Sequence, residues 1–146
     1  MEQLIEFFAT FVDRCHHGKE EELLFPALEE VGVSKEGGPI GVMLKEHQLG
    51  RDAVAKMKAT LVRYRDGDRK AAGDLVHHAR AYTALLDQHI DKENNVLFVL
   101  ADNNLSKEKQ MELWEGFETI ETQKIGPGKH EAFHKMIESL ESIYLS

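Results

Sequence analysis

The stretch His16-His17-Gly18-Lys19-Glu20-Glu21-Glu22-Leu23-Leu24-Phe25-Pro26 returns later in the chain as His89-Ile90-Asp91-Lys92-Glu93-Asn94-Asn95-Val96-Leu97-Phe98-Val99. Both copies read H-x-x-K-E-x-x-(L/V)-L-F, an internal repeat with its His, Glu and apolar positions in one register. On a helix, residues i and i+4 lie one above the other. A histidine followed four residues later by a glutamate therefore points two ligand groups the same way. Imidazole with carboxylate suits Fe, Zn or Mn, and the single cysteine, Cys15, leaves no thiolate cluster. A metal site inside a helical bundle draws such pairs from facing helices, and this chain supplies two.

Phase decides whether the pairs face inward. In the second copy, Tyr82, Leu85, Leu86, Val96, Leu97 and Leu100 form an apolar stripe, and His89 and Glu93 fall near its centre. A buried carboxylate is costly unless it is paired or binds a metal. The plainer alternative is a hydrogen-bonded His–Glu pair in the core. The first copy allows two registers, His16–Glu20 and His17–Glu21. Laying Leu24-Phe25 over Leu97-Phe98 selects His16–Glu20. That pair also falls between the early stripe of Leu4, Phe8, Phe11 and Cys15 and the later one of Leu23, Leu24, Ala27 and Val31. On this phase His17 and Glu21 read as part of a solvated charged face.

Working outward, glycine and proline divide the chain at Gly32, Gly37-Gly38-Pro39, Gly67 and Gly126-Pro127-Gly128. The intervening segments have helical periodicity, and none alternates with period two. Five helices are expected: Glu2 to Val31; Pro39, a first-turn proline, to Asp66; Asp68, an N-cap, to Ala101; a fourth after Ser106 that stops before Gly126; and Lys129 to Tyr144. Short connections favour antiparallel neighbours. The apolar faces of the fourth and fifth helices, with Leu113, Trp114, Phe117 and Ile120 and then Phe133, Ile137, Leu140 and Tyr144, are the surfaces within the chain expected to close the bundle. The fold class is all-α, an up-and-down four-helix-type bundle with about five helices, in a single domain over residues 1–146. In the second helix, His47 lies in phase with Ile40, Met43, Leu44, Val54 and Leu61, which makes it a third inward ligand candidate, while Glu46 points elsewhere. His78 lies three turns before His89, roughly 16 Å along the axis, and reads as a core or near-surface histidine; His77 reads as exposed.

Composition excludes several functions. The formal net charge of −8 argues against nucleic acid as a partner, because phosphate binding needs clustered Lys and Arg. No stretch approaches the roughly 18 apolar residues of a membrane span. The N-terminal segment has no basic region and no small-residue cleavage site, and a lone cysteine suits a reducing compartment, so a cytoplasmic location is expected. Neither a phosphate-binding glycine loop nor a nucleophile elbow is present.

The combination resembles the hemerythrin family, in particular the bacterial hemerythrin-like HHE cation-binding domains. The resemblance rests on Cys15 through Pro26, on Gly37-Gly38-Pro39-Ile40-Gly41-Val42-Met43 leading to Glu46-His47, on His89 through Phe98, and on Ile125-Gly126-Pro127-Gly128-Lys129-His130. It implies a helical bundle around a non-haem diiron centre, oxo- or carboxylate-bridged, with Zn or Mn as other metals of the donor set. It implies His16, Glu20, His47, His89 and Glu93 as ligands, with the two glutamates bridging. The chain starts at what looks like the second helix of those proteins, whose first helix supplies a further histidine. His130 and His134 are the candidates within the chain to fill that place; water and a second subunit, hence a homodimer, are the alternatives.

The resemblance implies a module that binds or senses a small gaseous ligand, O2 or NO. A diiron oxidase or peroxidase, or an iron-handling protein, is the enzymatic or storage alternative, with Tyr82, about two turns from His89, as a proton-donor candidate. A structural role with Zn or no metal is the third. No catalytic residue is assigned.

Overall fold

The computed structural model of the chain describes residues 1–126 and 128–145, with Tyr144 described by its backbone alone. Those residues form five helices and no strand: α1 (2–30), α2 (Pro39–Arg65), α3 (71–104), α4 (Lys107–Ile125) and α5 (Lys129–Tyr144). The expected all-α bundle is what the described residues form. The helix ends follow local chemistry. The Ser106 side chain accepts the Lys109 N–H and caps α4. Gly38 precedes Pro39 at the start of α2, where a Cβ would stand 2.2 Å from the Ser34 carbonyl oxygen, so only glycine fits. Asp68 does not sit at the N-terminus of α3 as expected. Its carboxylate accepts the Lys70 N–H and closes a turn, and the helix begins at Ala71.

Both copies of the repeat are wound more widely than an α-helix. In α1 the segments Phe8–His17 and Glu20–Leu24 are π-helical, and in α3 Glu93–Leu97 is. A π turn bonds i to i+5 and delays the angular advance of every later side chain. In α1 the second wide segment runs directly up to Phe25-Pro26, where proline has no N–H to donate and its ring crowds the carbonyl four residues back. The consequence for α3 is visible at Val96. It belongs to the inward stripe by α-helical phase, yet it is 44% exposed, while Leu97 is fully buried.

The core is divided along the bundle. At one end Leu24, Phe25, Leu28, Ile40, Met43, Leu97 and Leu113 pack together. At the other, Ile5, Met57, Leu75 and Tyr82 do, with Phe8, Val54 and Leu61 against them. On α1, α2 and α3 alike, the histidines and glutamates of interest lie between these two apolar layers. α5 packs elsewhere: Phe133 joins Cys15 and Ile125 beside Phe7 and Phe11, on the outer side of α1. Trp114, expected to help close the bundle from α4, is 67% exposed, whereas Leu113 and the half-buried Phe117 pack against the core. The expected inward position of Tyr144 lies outside the described side chains.

Candidate metal centre

Between the two apolar layers, α1, α2 and α3 place buried donor groups at one level. Glu20, His47, His89 and Glu93 each offer a ligand atom, all within 4.8 Å of one another. His17, His47 and His89 do the same. All five residues are at most 4% exposed. His47 is fully buried, stacked at 3.8 Å between centroids on His17 and flanked by Phe25.

The hydrogen bonds around the imidazoles have one direction. His47 Nδ1 meets Glu21 Oε1 at 2.7 Å, His89 Nδ1 meets Glu46 Oε2 at 3.0 Å, and His17 Nδ1 meets Asp13 Oδ1 at 3.3 Å. With Nδ1–H donating outward to a carboxylate, Nε2 keeps its lone pair for the interior, the arrangement that orients metal-bound histidine. The outer carboxylates are themselves held. Arg51 donates from Nε to Asp13 and from Nη2 to Glu21, both at 2.7 Å, and Lys92 donates to Glu46. Burial would push these carboxyls up, but the Arg51 and His47 bonds bring Glu21 below its ordinary range, the His17 and Arg51 bonds and the Arg51 charge do so for Asp13, and Lys92 and His89 do so for Glu46. All three remain ionised acceptors.

The inner atoms are left over. The Nε2 atoms of His17, His47 and His89 and both carboxylate oxygens of Glu20 are buried without a hydrogen-bond partner. Some lie close, with His89 Nε2 2.8 Å from Glu93 Oε1 and His47 Nε2 3.1 Å from Glu20 Oε2, but they converge without the alignment of a hydrogen bond. Buried polar atoms are ordinarily paired. Five at one point, all lone-pair donors, fit a cation shared among them. The donor set is nitrogen and oxygen, the chemistry of Fe, Mn or Zn.

The protonation balance is compatible with that role. Burial lowers the His17 pKa, which Asp13 offsets only in part, so this imidazole is neutral and ready to coordinate. At Glu93 burial opposes ionisation, yet the His16 bond and the close approach of the His89 imidazole hold the carboxyl far below its usual range. Against their burial, Glu93 and Glu20 raise His16, and Glu93, Glu46 and Glu20 raise His89, so a cation at this level takes the place of protons there.

Of the residues singled out from sequence, Glu20, His47, His89 and Glu93 converge. His16 stands beside them, its side chain 41% exposed, its Nε2 3.3 Å from Glu93 Oε1 and 3.9 Å from Glu20 Oε1. His130 and His134 do not belong to the group. His130 faces Glu121 at 3.5 Å and the Phe11 ring, with His134 beside it. His17, read as surface, is buried at the centre; the wide winding of Phe8–His17 carries it inward. Glu21 and Glu46, read as surface or structural, are the orienting carboxylates, and Asp13 and Arg51 were not singled out. Their signal is a charge one helical step from each inward histidine, Asp13 four residues before His17 and Arg51 four after His47. Tyr82 packs against Phe8 in the neighbouring apolar layer, and burial pushes its phenol up to about 12, which makes it a poor proton donor.

Comparison with known proteins accounts for this level of the bundle. The model of the hemerythrin HHE cation binding domain matches residues 1–101. The chain belongs to the hemerythrin HHE family. The matched part contains all five converging residues and His16, and it ends before α4, so His130 and His134 lie outside it. Within this family the role the centre supports is cation binding. Two relatives, an uncharacterized protein of Mycobacterium bovis and one of Mycobacterium tuberculosis, are each 26% identical over 121 residues, 83% of this chain and 47% of theirs. The chain thus spans about half the length of the curated relatives it matches. No solved structure matches. Among the described residues, no helix is long and apolar enough to cross a membrane.

Proposed function

We propose that this hemerythrin-like chain holds two irons at this level of the bundle and binds or senses a small diatomic ligand, O2 or NO, without turnover. The observation that carries the reading is the set of orphaned buried donor atoms on His17, His47, His89 and Glu20, joined by Glu93. With His16 at the rim, six side chains are within reach, enough to divide between two ions, and Glu20 and Glu93 are the carboxylates that two ions would share. An iron pair supplies the electrons that a diatomic ligand draws on when it binds.

The chain's own residues do the rest. Asp13, Glu21 and Glu46 fix the three imidazoles with Nε2 inward, and Arg51 and Lys92 fix the carboxylates. Phe25, Leu97 and Tyr82 exclude bulk water from either side. A centre that binds without turning over needs no proton donor beside it, which suits the remote, weakly acidic Tyr82.

The test is iron quantification per chain, with an optical spectrum in air and after addition of NO. The reading expects about two irons per chain and a spectrum that changes on NO. Zinc alone, or a spectrum indifferent to both gases, would remove it. Peroxide turnover above that of free iron would favour the oxidase or peroxidase alternative.

A further inference from the structure

A groove of about 500 Å³ runs between α1 and α2. No described residue of α4 or α5 lines it, though Glu6 on its edge faces Lys129 of α5 at 3.7 Å. Its floor is apolar, made by Ile5, Phe8, Val54, Leu61 and Tyr82. Along α2 its wall extends from Arg51 to Arg65, about 21 Å at the helical rise. Small residues, Ala9 and Thr10 on α1 and Gly50 and Ala55 on α2, keep it shallow enough for helices to approach. Val62, on its edge, is 52% exposed. An apolar floor rimmed by charged walls has the anatomy of a contact face, apolar at its centre and polar at its edge.

The two walls carry opposite charge. On α1 stand Glu2, Glu6 and Asp13, with Arg14 as the exception; on α2 stand Arg51, Lys58 and Arg65 with no acid among the lining residues. Two ion pairs fix how the walls are aligned: Arg65 Nη1 donates to Glu2 at 3.0 Å, and Arg51 Nε to Asp13 at 2.7 Å. Lys58 has no carboxylate partner among the described residues.

We infer that this groove is the interface with a second copy of the same chain. A two-fold axis running along the groove lays α1 of one copy over α2 of its partner. Because Glu2 is level with Arg65 and Asp13 with Arg51 within one chain, that axis keeps each acid level with a base across the interface, and it brings Glu6 within a turn of Lys58. A two-fold axis across the groove would set acid on acid and base on base. Only the first arrangement is self-complementary, as a closed symmetric contact requires. The same contact covers the inner end of the groove, which Asp13 and the buried His17 line.

Sedimentation equilibrium of the 146-residue chain, with and without metal, reads this directly. The expected mass at high micromolar concentration is twice 16.6 kDa. Lys58→Glu changes an exposed residue and leaves helicity intact, and it should weaken the dimer about tenfold or more. Glu6→Lys in the same chain should restore it. Ala55→Arg, a second groove variant, should also give monomer with unchanged helicity. A wild-type monomer throughout the concentration range overturns the inference, including a monomer whose groove takes up an apolar dye instead. So does a dimer that neither variant disturbs, since its interface then lies elsewhere. Because the reading is of mass, failure of the iron proposal leaves it untouched.

Discussion

The two copies of H-x-x-K-E-x-x-(L/V)-L-F are the same words with different grammar. In α3 the pair is delivered as the spacing demands: His89 and Glu93 are both buried and stand 2.8 Å apart. In α1 the equivalent pair is split. Glu20 is buried, but His16 is at the rim and reaches across to Glu93, while its neighbour His17 takes the inward place and stacks on His47. The α3 copy is preceded by regular α-helix from Ala71, the α1 copy by π winding that starts at Phe8 and runs on through His17. Spacing alone therefore fixes a ligand only where the turns before it are α-helical. Where they are not, the phase is set by the winding, and a second histidine next in sequence can exchange places with the first.

Removing a carboxylate from either copy should have the largest effect. Glu20→Ala or Glu93→Ala deletes a donor that the remaining residues cannot replace, and metal per chain after dialysis should fall by more than about a hundredfold in affinity terms, beyond what an outer-shell change does. Glu22→Ala, on an exposed residue paired with Lys124, should leave it unchanged. Metal content left unchanged by Glu20→Ala as by Glu22→Ala would mean that the α1 copy takes no part.

Metal removal should lower stability, since a ligand bound only to the folded state contributes about 2.7 kcal/mol at a hundredfold excess over Kd. For a chain of this size that is a fall in Tm of roughly 5–10 °C. An unchanged melting curve after verified chelation would favour a structural role for the buried His–Glu cluster.

The exchange of His16 and His17 is open to a direct contrast. His17→Ala should cost more metal affinity than His16→Ala, because His17 is buried with an orphaned Nε2 and His16 is half outside. The reverse order would restore the register that spacing suggests. A smaller effect is expected from Arg51, which touches no inward atom. Arg51→Ala should lower affinity by about tenfold through loosened His17 and His47, near the lower end for outer-shell partners. Arg51→Lys should recover little of it, since a single ammonium cannot span Asp13 and Glu21 as the fork does. His130→Ala and His134→Ala should leave metal content unchanged.

Much of this architecture is legible in the sequence. The five helices, their glycine and proline punctuation and the inward phase of His47, His89 and Glu93 follow from periodicity, because α2 and the first part of α3 are regular. What periodicity misses follows from one physical cause and one omission. The cause is the π winding, which hides His17 and turns Val96 outward. The omission concerns partners: Asp13, Glu21 and Glu46 look like a solvated face because their charge is what a one-dimensional reading sees, whereas their function is the hydrogen bond each accepts from an imidazole. The position of α5 was equally beyond phase, since an amphipathic helix can cover any apolar stripe, and it covers Phe7 and Phe11 rather than the centre.

The most direct measurement is an anomalous-difference map from crystals of the aerobically purified protein, recorded at the iron edge. The account predicts density enclosed by His17, Glu20, His47, His89 and Glu93, with His16 at its edge. Density beside His130 and His134, or none at the level of Glu20 and Glu93 in a protein shown to contain iron, would contradict it.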